Sequence, residues 1–313
     1  MRILVIGAGA LGGYFGARLL EAGKDVTLLV RPARAAKLKR GLSVRSPVGD
    51  INISDPPTIT ADRVKQPFDL ILLSCKAYDL PSAMDAMAPA VGENTMILPF
   101  LNGLSHIDAL NARFDKSRVL GGWCAISAAM NEDGQILHLQ PFHSLSFGEQ
   151  DGGKSERIAA VAAALSGAKF DALPVDSIMH EIWEKWIFIA SAAGITSLMR
   201  GAVGDIVAAG AVELTTALFN ECVAIGASHG FAPSKAAHDR FMSILTAPGS
   251  LFTASMLRDI EAGQPIEADH ILGDLLKRDK RGAKSSPLLR VAYAHLKTYQ
   301  SRRSREQRAA QTA

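Results

Sequence analysis

The sequence has little of what marks a secreted, membrane-bound or metal-binding protein. Its three cysteines, Cys75, Cys124 and Cys222, are far apart and not in CxxC spacing, which predicts reduced thiols rather than disulfides or a zinc site. The eight histidines form no HxxxH or HExxH pair, so we expect no metal. No stretch reaches the ~18–20 uninterrupted apolar residues that a membrane span needs. The N-terminus has no apolar signal run, and we expect a cytoplasmic protein with no membrane partner.

An excess of charge of one sign is also missing. The formal net charge of +3 is too small to predict nucleic-acid binding. Basic residues do cluster beyond Lys297, where the chain has little apolar content, and we interpret this stretch as a solvated, frayed tail. The 313 residues are 48% hydrophobic and 21% charged, which predicts a globular chain of two domains.

A glycine-rich segment near the start indicates a dinucleotide-binding turn. The apolar run Ile3–Ile6 leads directly into Gly7-Ala8-Gly9-Ala10-Leu11-Gly12, a helical stretch and a second apolar run. The motif therefore lies inside a βαβ unit of about thirty residues, the context that makes such a pattern specific. Gly7 would allow the tight turn, Gly9 the close approach of a pyrophosphate, and Gly12 the packing of helix on strand. Ala10 and Leu11 would add first-turn N–H groups for the phosphates.

The end of the second strand predicts the choice of cofactor. NAD enzymes usually carry an acidic residue there for the ribose 2′-hydroxyl, whereas this chain has Arg31 and no acid between Asp25 and Asp50. A cation suits a 2′-phosphate, so the pattern favours NADP(H). A surface arginine with no ligand is the alternative.

Two further buried strands each lead into a polar residue. The runs DLILLS and TMILPF precede Lys76 and Asn102, which would emerge at the carboxyl edge of a parallel sheet, where ligands bind in this architecture. Each could also be a surface or turn residue. The pattern predicts an α/β fold with an N-terminal Rossmann-type dinucleotide-binding domain, residues 1–175.

After residue 175 the periodicity becomes helical, which predicts an all-α domain for residues 176–313. Lys185 falls on a nearly apolar stripe of the first helix, where it either extends its amine to solvent or meets an anionic group. Glu267 lies at the start of a predicted helix, where an acid can serve simply as a cap. The pattern does not define an oligomeric state, and the helical half is compatible with a homodimer.

Taken together, these positions resemble the ketopantoate reductase family (2-dehydropantoate 2-reductases), from Arg2 to about Tyr299. RILVIGAGALGGYFGARLLEAG is similar to the family's opening motif, VTLLVRPAR to its second strand, and SCKAYD and LNG to its next two motifs. EIWEKW and SMLRDIEAGQPIEADHILG resemble the signatures of its helical domain. The resemblance implies cofactor contacts from Arg31, Lys76 and Asn102.

The resemblance also implies an activity, the reduction of a 2-oxo acid to a 2-hydroxy acid by NADPH, with 2-dehydropantoate as the first candidate and pantothenate biosynthesis as the setting. Lys185 would be the catalytic proton donor, and Glu267 would hold Lys185 or a substrate hydroxyl. Asn102 would hydrogen-bond the substrate and orient the lysine. Ser255 would bind the substrate carboxylate, with Asp259 as a structural partner.

Four positions depart from the family pattern. Ile189, Ala193 and Val203 stand where the family has asparagines, and Leu101 replaces a glutamine. Lost amides would leave substrate hydroxyl groups without partners. A related reductase of a more apolar oxo acid is therefore an alternative, as are an NADP-linked enzyme of the β-hydroxyacid dehydrogenase type and a non-catalytic NADPH-binding redox sensor.

Overall fold

The computed structural model describes residues 1–282 and 284–312, which form two compact units. Unit 1 comprises Met1–Leu101 and His106–Met179, and unit 2 comprises Asn102–Ser105 and the chain from His180 onward. The four residues from Asn102 therefore belong with the helical part of the chain, which no sequence pattern predicted. The domain boundary after residue 175 stays a prediction.

Unit 1 is built of strands and of helices that connect them. Its strands are β1 (Ile3–Ile6), β2 (Val26–Leu29), β3 (Leu42–Arg45), β4 (Ile51–Ile53), β5 (Thr58–Ile59), β6 (Leu70–Leu73), β7 (Met96–Pro99), β8 (Gly121–Met130), β9 (Ile136–Gly148) and β10 (Asp171–Pro174). The helices that begin within residues 1–177 are α1 (Ala10–Glu21), α2 (Pro32–Leu38), α3 (Leu80–Met87), α4 (Ser105–Phe114) and α5 (Glu156–Leu165).

The first sheet has the strand order β5-β2-β1-β6-β7, and all its pairs are parallel. Successive side chains of a strand point to opposite faces, and both faces of this sheet are buried. Ile3 and Val5 contribute to one apolar cluster, and Leu4 and Ile6 to another. This explains why the strands are continuous apolar runs with no polar alternation.

A second sheet has the order β10-β9-β3-β4, with β8 paired antiparallel to β9. The β8–β9 hairpin turns at Asn131–Gly134, as the sequence predicted. The short strands β3, β4 and β5 were not predicted, because two to four residues carry too little periodicity to stand out.

Unit 2 is helical. Its helices are α6 (Ile178–Met199), α7 (Val203–Ala208), α8 (Val212–Ser228), α9 (Lys235–Leu245), α10 (Ser255–Glu261), α11 (Asp274–Lys277) and α12 (Pro287–Thr312). Residues Asp269–Gly273, directly before α11, form a π-turn rather than an α-helical turn. The fold class predicted from the sequence, a Rossmann-type domain followed by a helical domain, is confirmed.

One interpretation from the sequence is wrong. The stretch beyond Lys297 is not frayed, because α12 continues to Thr312. Its side chains are largely exposed, yet Arg303 Nε donates to the backbone oxygen of Gly263 at 2.6 Å, and Tyr299 Oη donates to that of Gln264 at 2.9 Å. Low apolar content predicted solvation correctly, but it could not show these contacts with the segment that leads to Glu267.

Candidate active site

The glycine turn between β1 and α1 has a backbone that other residues could not adopt without displacement. Gly7 has a φ of 87°, the left-handed region that favours glycine. A Cβ on Gly12 would lie 2.2 Å from the Gly7 oxygen and 2.2 Å from Ser74 Oγ, so the helix can contact the sheet here only through glycine. Both glycines have the structural roles expected of them from the sequence.

The N-terminus of α1 fits an anionic ligand. Gly9 is the N-cap, no side chain caps the helix, and its first turn contains no acidic residue. The first turn, which includes Ala10 and Leu11, therefore brings no carboxylate of its own to compete for its N–H groups. A Cβ on Gly9 would meet no atom within 4 Å, which leaves space at this N-cap. A dinucleotide pyrophosphate fits both observations.

Arg31 lies at the end of β2, as predicted, but it has an acidic neighbour. Its Nη2 donates to Asp79 Oδ1 at 2.6 Å and to Ser82 Oγ at 3.2 Å. This hydrogen bond with Asp79 raises the pKa of Arg31 above its ordinary value. The sequence has no acid between Asp25 and Asp50, but in the structure Asp79, from the segment that follows β6, contacts Arg31. Lys76 lies on the same segment, half-buried, as the N-cap of a short 3₁₀-helix that ends at Asp79.

Arg34 is a second cation at this end of the sheet, and the sequence analysis did not assign it a role. Its Nε donates to the Ala8 oxygen at 2.9 Å, inside the glycine turn, and its Nη1 donates to the Gly134 oxygen at 3.1 Å. Burial lowers the pKa of Arg34 from its ordinary value. The Arg34 side chain thus links the glycine turn to the β8–β9 hairpin through one hydrogen bond to each.

In unit 2, Lys185 is half-buried on α6. The following residue, Trp186, is fully buried and its Nε1 donates to the Ile271 oxygen at 2.9 Å, which joins α6 to the π-turn. Further along α6, Thr196 Oγ1 accepts from the Ala254 N–H at 3.4 Å. The helix that carries Lys185 therefore contacts the π-turn at Ile271 and the residue directly before α10, Ala254.

Asn102, Glu267 and His270 lie close together in unit 2. His270 Nδ1 is 2.8 Å from Ser105 Oγ, and the Asn102 backbone lies near enough to the ring to affect its pKa. Burial lowers the pKa of His270, although the Glu267 carboxylate and the Asn102 backbone act in the opposite direction. Sequence reasoning missed His270; its position three residues after Glu267, on the same side of a predicted helix, was the available signal.

Ser255 is the first residue of α10 and is exposed, while Asp259 is half-buried one turn later. The segment joins α6 at Thr196, eleven residues after Lys185, which is ~16 Å along a helix. The structure therefore places Asn102 and Glu267 near His270. It places Ser255 beside a part of α6 that is farther along the helix from Lys185.

The positions without the family's amides are apolar and mostly buried. Ala193, Val203 and Leu101 are at most 5% exposed, and Ile189 is half-buried. Ile189 and Ala193 follow Lys185 by one and two helical turns on the same side of α6. An apolar strip therefore begins directly beside the lysine.

Residues 1–282 and 284–312 contain neither a candidate metal site nor a candidate membrane span. No group of three or more His, Cys, Asp or Glu side chains in these residues could hold a metal ion. No helix in the same residues is long and apolar enough to cross a membrane.

Comparison with known families covers most of the chain. Residues 3–152 match the family described as ketopantoate reductase PanE/ApbA, and residues 177–300 match the family described as ketopantoate reductase PanE/ApbA C terminal.

Individual proteins are similar over almost their whole length. The chain is 38% identical to the uncharacterized oxidoreductase YkpB of Bacillus subtilis strain 168, over 96% of this chain and 99% of that protein. It is 28% identical to a 2-dehydropantoate 2-reductase of Mesorhizobium japonicum, over 94% of this chain and 96% of the relative. The crystal structure of 2-dehydropantoate 2-reductase from Geobacter metallireducens GS-15 superposes with a TM-score of 0.86 at 28% identity, over 95% of this chain and 99% of that one.

Proposed function

Because the chain belongs to the ketopantoate reductase PanE/ApbA family of oxidoreductases, we propose that it reduces a 2-oxo acid to a 2-hydroxy acid with NADPH. The observation that carries the proposal is the glycine turn. Gly12 admits no side chain, while the N-cap at Gly9 has space and the first turn of α1 has no competing acid. These features suit a dinucleotide pyrophosphate.

The preference for NADPH rests on Arg31. Its guanidinium is 67% exposed and could turn from Asp79 to a 2′-phosphate, which offers more charge and more acceptor oxygens than one carboxylate. Lys76, at the end of β6, would add a second cation to the bound cofactor. Asn102 would contact the cofactor as well as the substrate.

When bound, NADPH supplies a hydride to the ketone carbon, and negative charge then develops on the ketone oxygen. Lys185 would stabilise that charge as an ammonium and transfer a proton from Nζ to the oxygen. Glu267 would hold Lys185 or a substrate hydroxyl, and the Asn102 amide would hydrogen-bond the substrate. Ser255, at the first turn of α10, would bind the substrate carboxylate.

The first candidate substrate is 2-dehydropantoate, on which the Mesorhizobium relative is named to act. A specific observation favours a second candidate, a 2-oxo acid with an alkyl side chain. Ile189 and Ala193 present only apolar groups beside Lys185, and a substrate hydroxyl left unpaired there costs roughly 1–3 kcal/mol. This free energy is large enough to change the order of two related substrates.

The direct test is the oxidation of NADPH by the purified protein, followed by absorbance with a panel that includes 2-dehydropantoate and alkyl 2-oxo acids. We expect turnover with at least one of them and faster turnover with NADPH than with NADH. A protein that binds NADPH but reduces none of the acids would instead support the non-catalytic redox sensor. Sedimentation of the same preparation would show whether the protein forms a homodimer, with which the helical half is compatible.

A further inference from the structure

His270 lies where two segments of unit 2 meet. It belongs to the π-turn Asp269–Gly273, and its Nδ1 is 2.8 Å from Ser105 Oγ, at the end of the short segment Asn102–Ser105. One side chain therefore links the π-turn to that segment.

The contact between this segment and His270 is too close for any residue but glycine at position 103. Gly103 has a φ of 81°, and a Cβ there would lie 2.8 Å from His270 Cδ2 and 3.1 Å from the His270 backbone oxygen. The turn after Asn102 therefore rests directly on the imidazole ring. A displacement of the ring would displace the backbone that carries the Asn102 amide.

The Glu267 carboxylate also acts on this ring. Burial has the largest effect on the pKa of His270 and lowers it, while the Glu267 and Asp274 carboxylates raise it and the Arg278 guanidinium lowers it. Nδ1 shares a hydrogen bond with the Ser105 hydroxyl, and Nε2 lies against the Gly103 turn. Trp186, which donates to the Ile271 oxygen, fixes the π-turn to the helix of Lys185.

We propose that His270 is a positioning residue for the reduction: through its ring it fixes the Asn102–Gly103 turn relative to Glu267, so that both polar groups meet the substrate in one arrangement. The inference rests on the proposed function. The ring need not touch the substrate, because its effect is transmitted through Asn102 and Glu267. A small misplacement of such groups reduces the rate of the chemical step far more than it weakens binding.

The test compares His270→Phe, which keeps a ring but has no hydrogen-bonding nitrogen, with His270→Asn, whose amide can still reach Ser105. We expect His270→Phe to lower kcat about ten- to a hundredfold with KM changed less than about threefold, and His270→Asn to recover part of that loss. The Kd for NADPH, measured by its fluorescence, should stay within about twofold of wild type. Ser105→Ala, which removes one hydrogen bond, should lower kcat about fivefold.

A matched control is His238→Asn on α9, where the histidine contacts Asp239 on the surface and should be replaceable without loss. Equal kcat for wild type and His270→Phe would overturn the positioning role. So would a loss confined to melting temperature, or a loss that His270→Asn does not relieve. If His270→Phe does not fold, unchanged kcat in both Ser105→Ala and His270→Asn would overturn the role. A wild-type protein that reduces no 2-oxo acid would overturn the proposed function, and this inference with it.

Discussion

The two candidate binding regions use different parts of the chain. The glycine turn of unit 1 offers backbone N–H groups from one continuous segment. Its geometry requires glycines, which have no side chain. The proposed polar site of unit 2 would instead use side chains from separate segments, those of Asn102, Lys185 and Glu267. A backbone site is sensitive to added atoms, whereas a side-chain site is sensitive to removed ones. Substitutions in the two regions should therefore fail in different ways.

The largest expected effect is the removal of Lys185. Lys185→Ala should lower kcat by ~10²–10⁴, the usual range for loss of a general acid, with little change in melting temperature. The control is Lys235→Ala, because Lys235 is 87% exposed on α9 and pairs with a surface carboxylate, that of Asp239. A Lys185→Ala protein that unfolds or keeps its rate would show that the lysine is structural.

The next largest effect is expected when a methyl group is added to the glycine turn. Alanine gains about 0.5–1 kcal/mol over glycine within a helix. The 2.2 Å contacts of a Cβ on Gly12 should outweigh that gain, because overpacking typically costs about 1–3 kcal/mol and sometimes more. We therefore expect Gly12→Ala to lower the free energy of unfolding, as measured by urea denaturation, and to weaken NADPH binding.

Gly9→Ala is the matched control for Gly12→Ala. Its Cβ would meet no atom of the protein within 4 Å, so the free energy of unfolding should be unchanged. Binding of NADPH should still weaken, because the methyl group would lie where the pyrophosphate approaches the backbone. Unweakened NADPH binding by Gly9→Ala would show that the ligand does not use this turn.

The preference for NADPH over NADH tests whether side chains of unit 1 also contribute to cofactor binding. Arg31→Ala should weaken NADPH by about ten- to a hundredfold, since a hydrogen bond to a charged group contributes roughly 1.5–3 kcal/mol, and should leave NADH almost unchanged. Asp79→Asn should strengthen NADPH by up to about fivefold, because an exposed ion pair contributes about 0–1 kcal/mol. If Arg31→Ala lowered the affinity for NADPH and NADH equally in a fluorescence titration, Arg31 would not contact the 2′-phosphate.

The smallest expected effect is a change of substrate order in unit 2. Ile189→Asn should raise kcat/KM for 2-dehydropantoate relative to an alkyl 2-oxo acid, by about five- to tenfold if one hydroxyl gains a partner. Adding Ala193→Asn should extend the effect only if the buried helix face accepts the larger side chain. A wild-type protein that already reduces 2-dehydropantoate more efficiently than every alkyl 2-oxo acid tested would exclude the apolar substrate.

Sequence patterns predicted the parts of the molecule that depend on local chemistry. β1 and the glycine turn follow from an apolar run and from glycine spacing, all within a few residues. The ion pair of Arg31 with Asp79, the support of Ala8 by Arg34 and the contacts of His270 link residues 26 or more positions apart, and no local pattern encodes them. The membership of Asn102–Ser105 in unit 2 is of the same kind, because it depends on tertiary packing.

The π-turn at Asp269–Gly273 can be regarded as an α-helix that contains one surplus residue, since its hydrogen bonds span five residues rather than four. Deleting one residue there would let the helix close as an ordinary α-helix and leave Leu275 and the rest of α11 in place. Everything before the deletion would then rotate by about 100° around the helix axis. Glu267 lies before the turn, and its backbone oxygen accepts from the His270 and Ile271 N–H groups, so its carboxylate would turn away from its present direction. A single insertion into a plain helix would, in reverse, produce that direction.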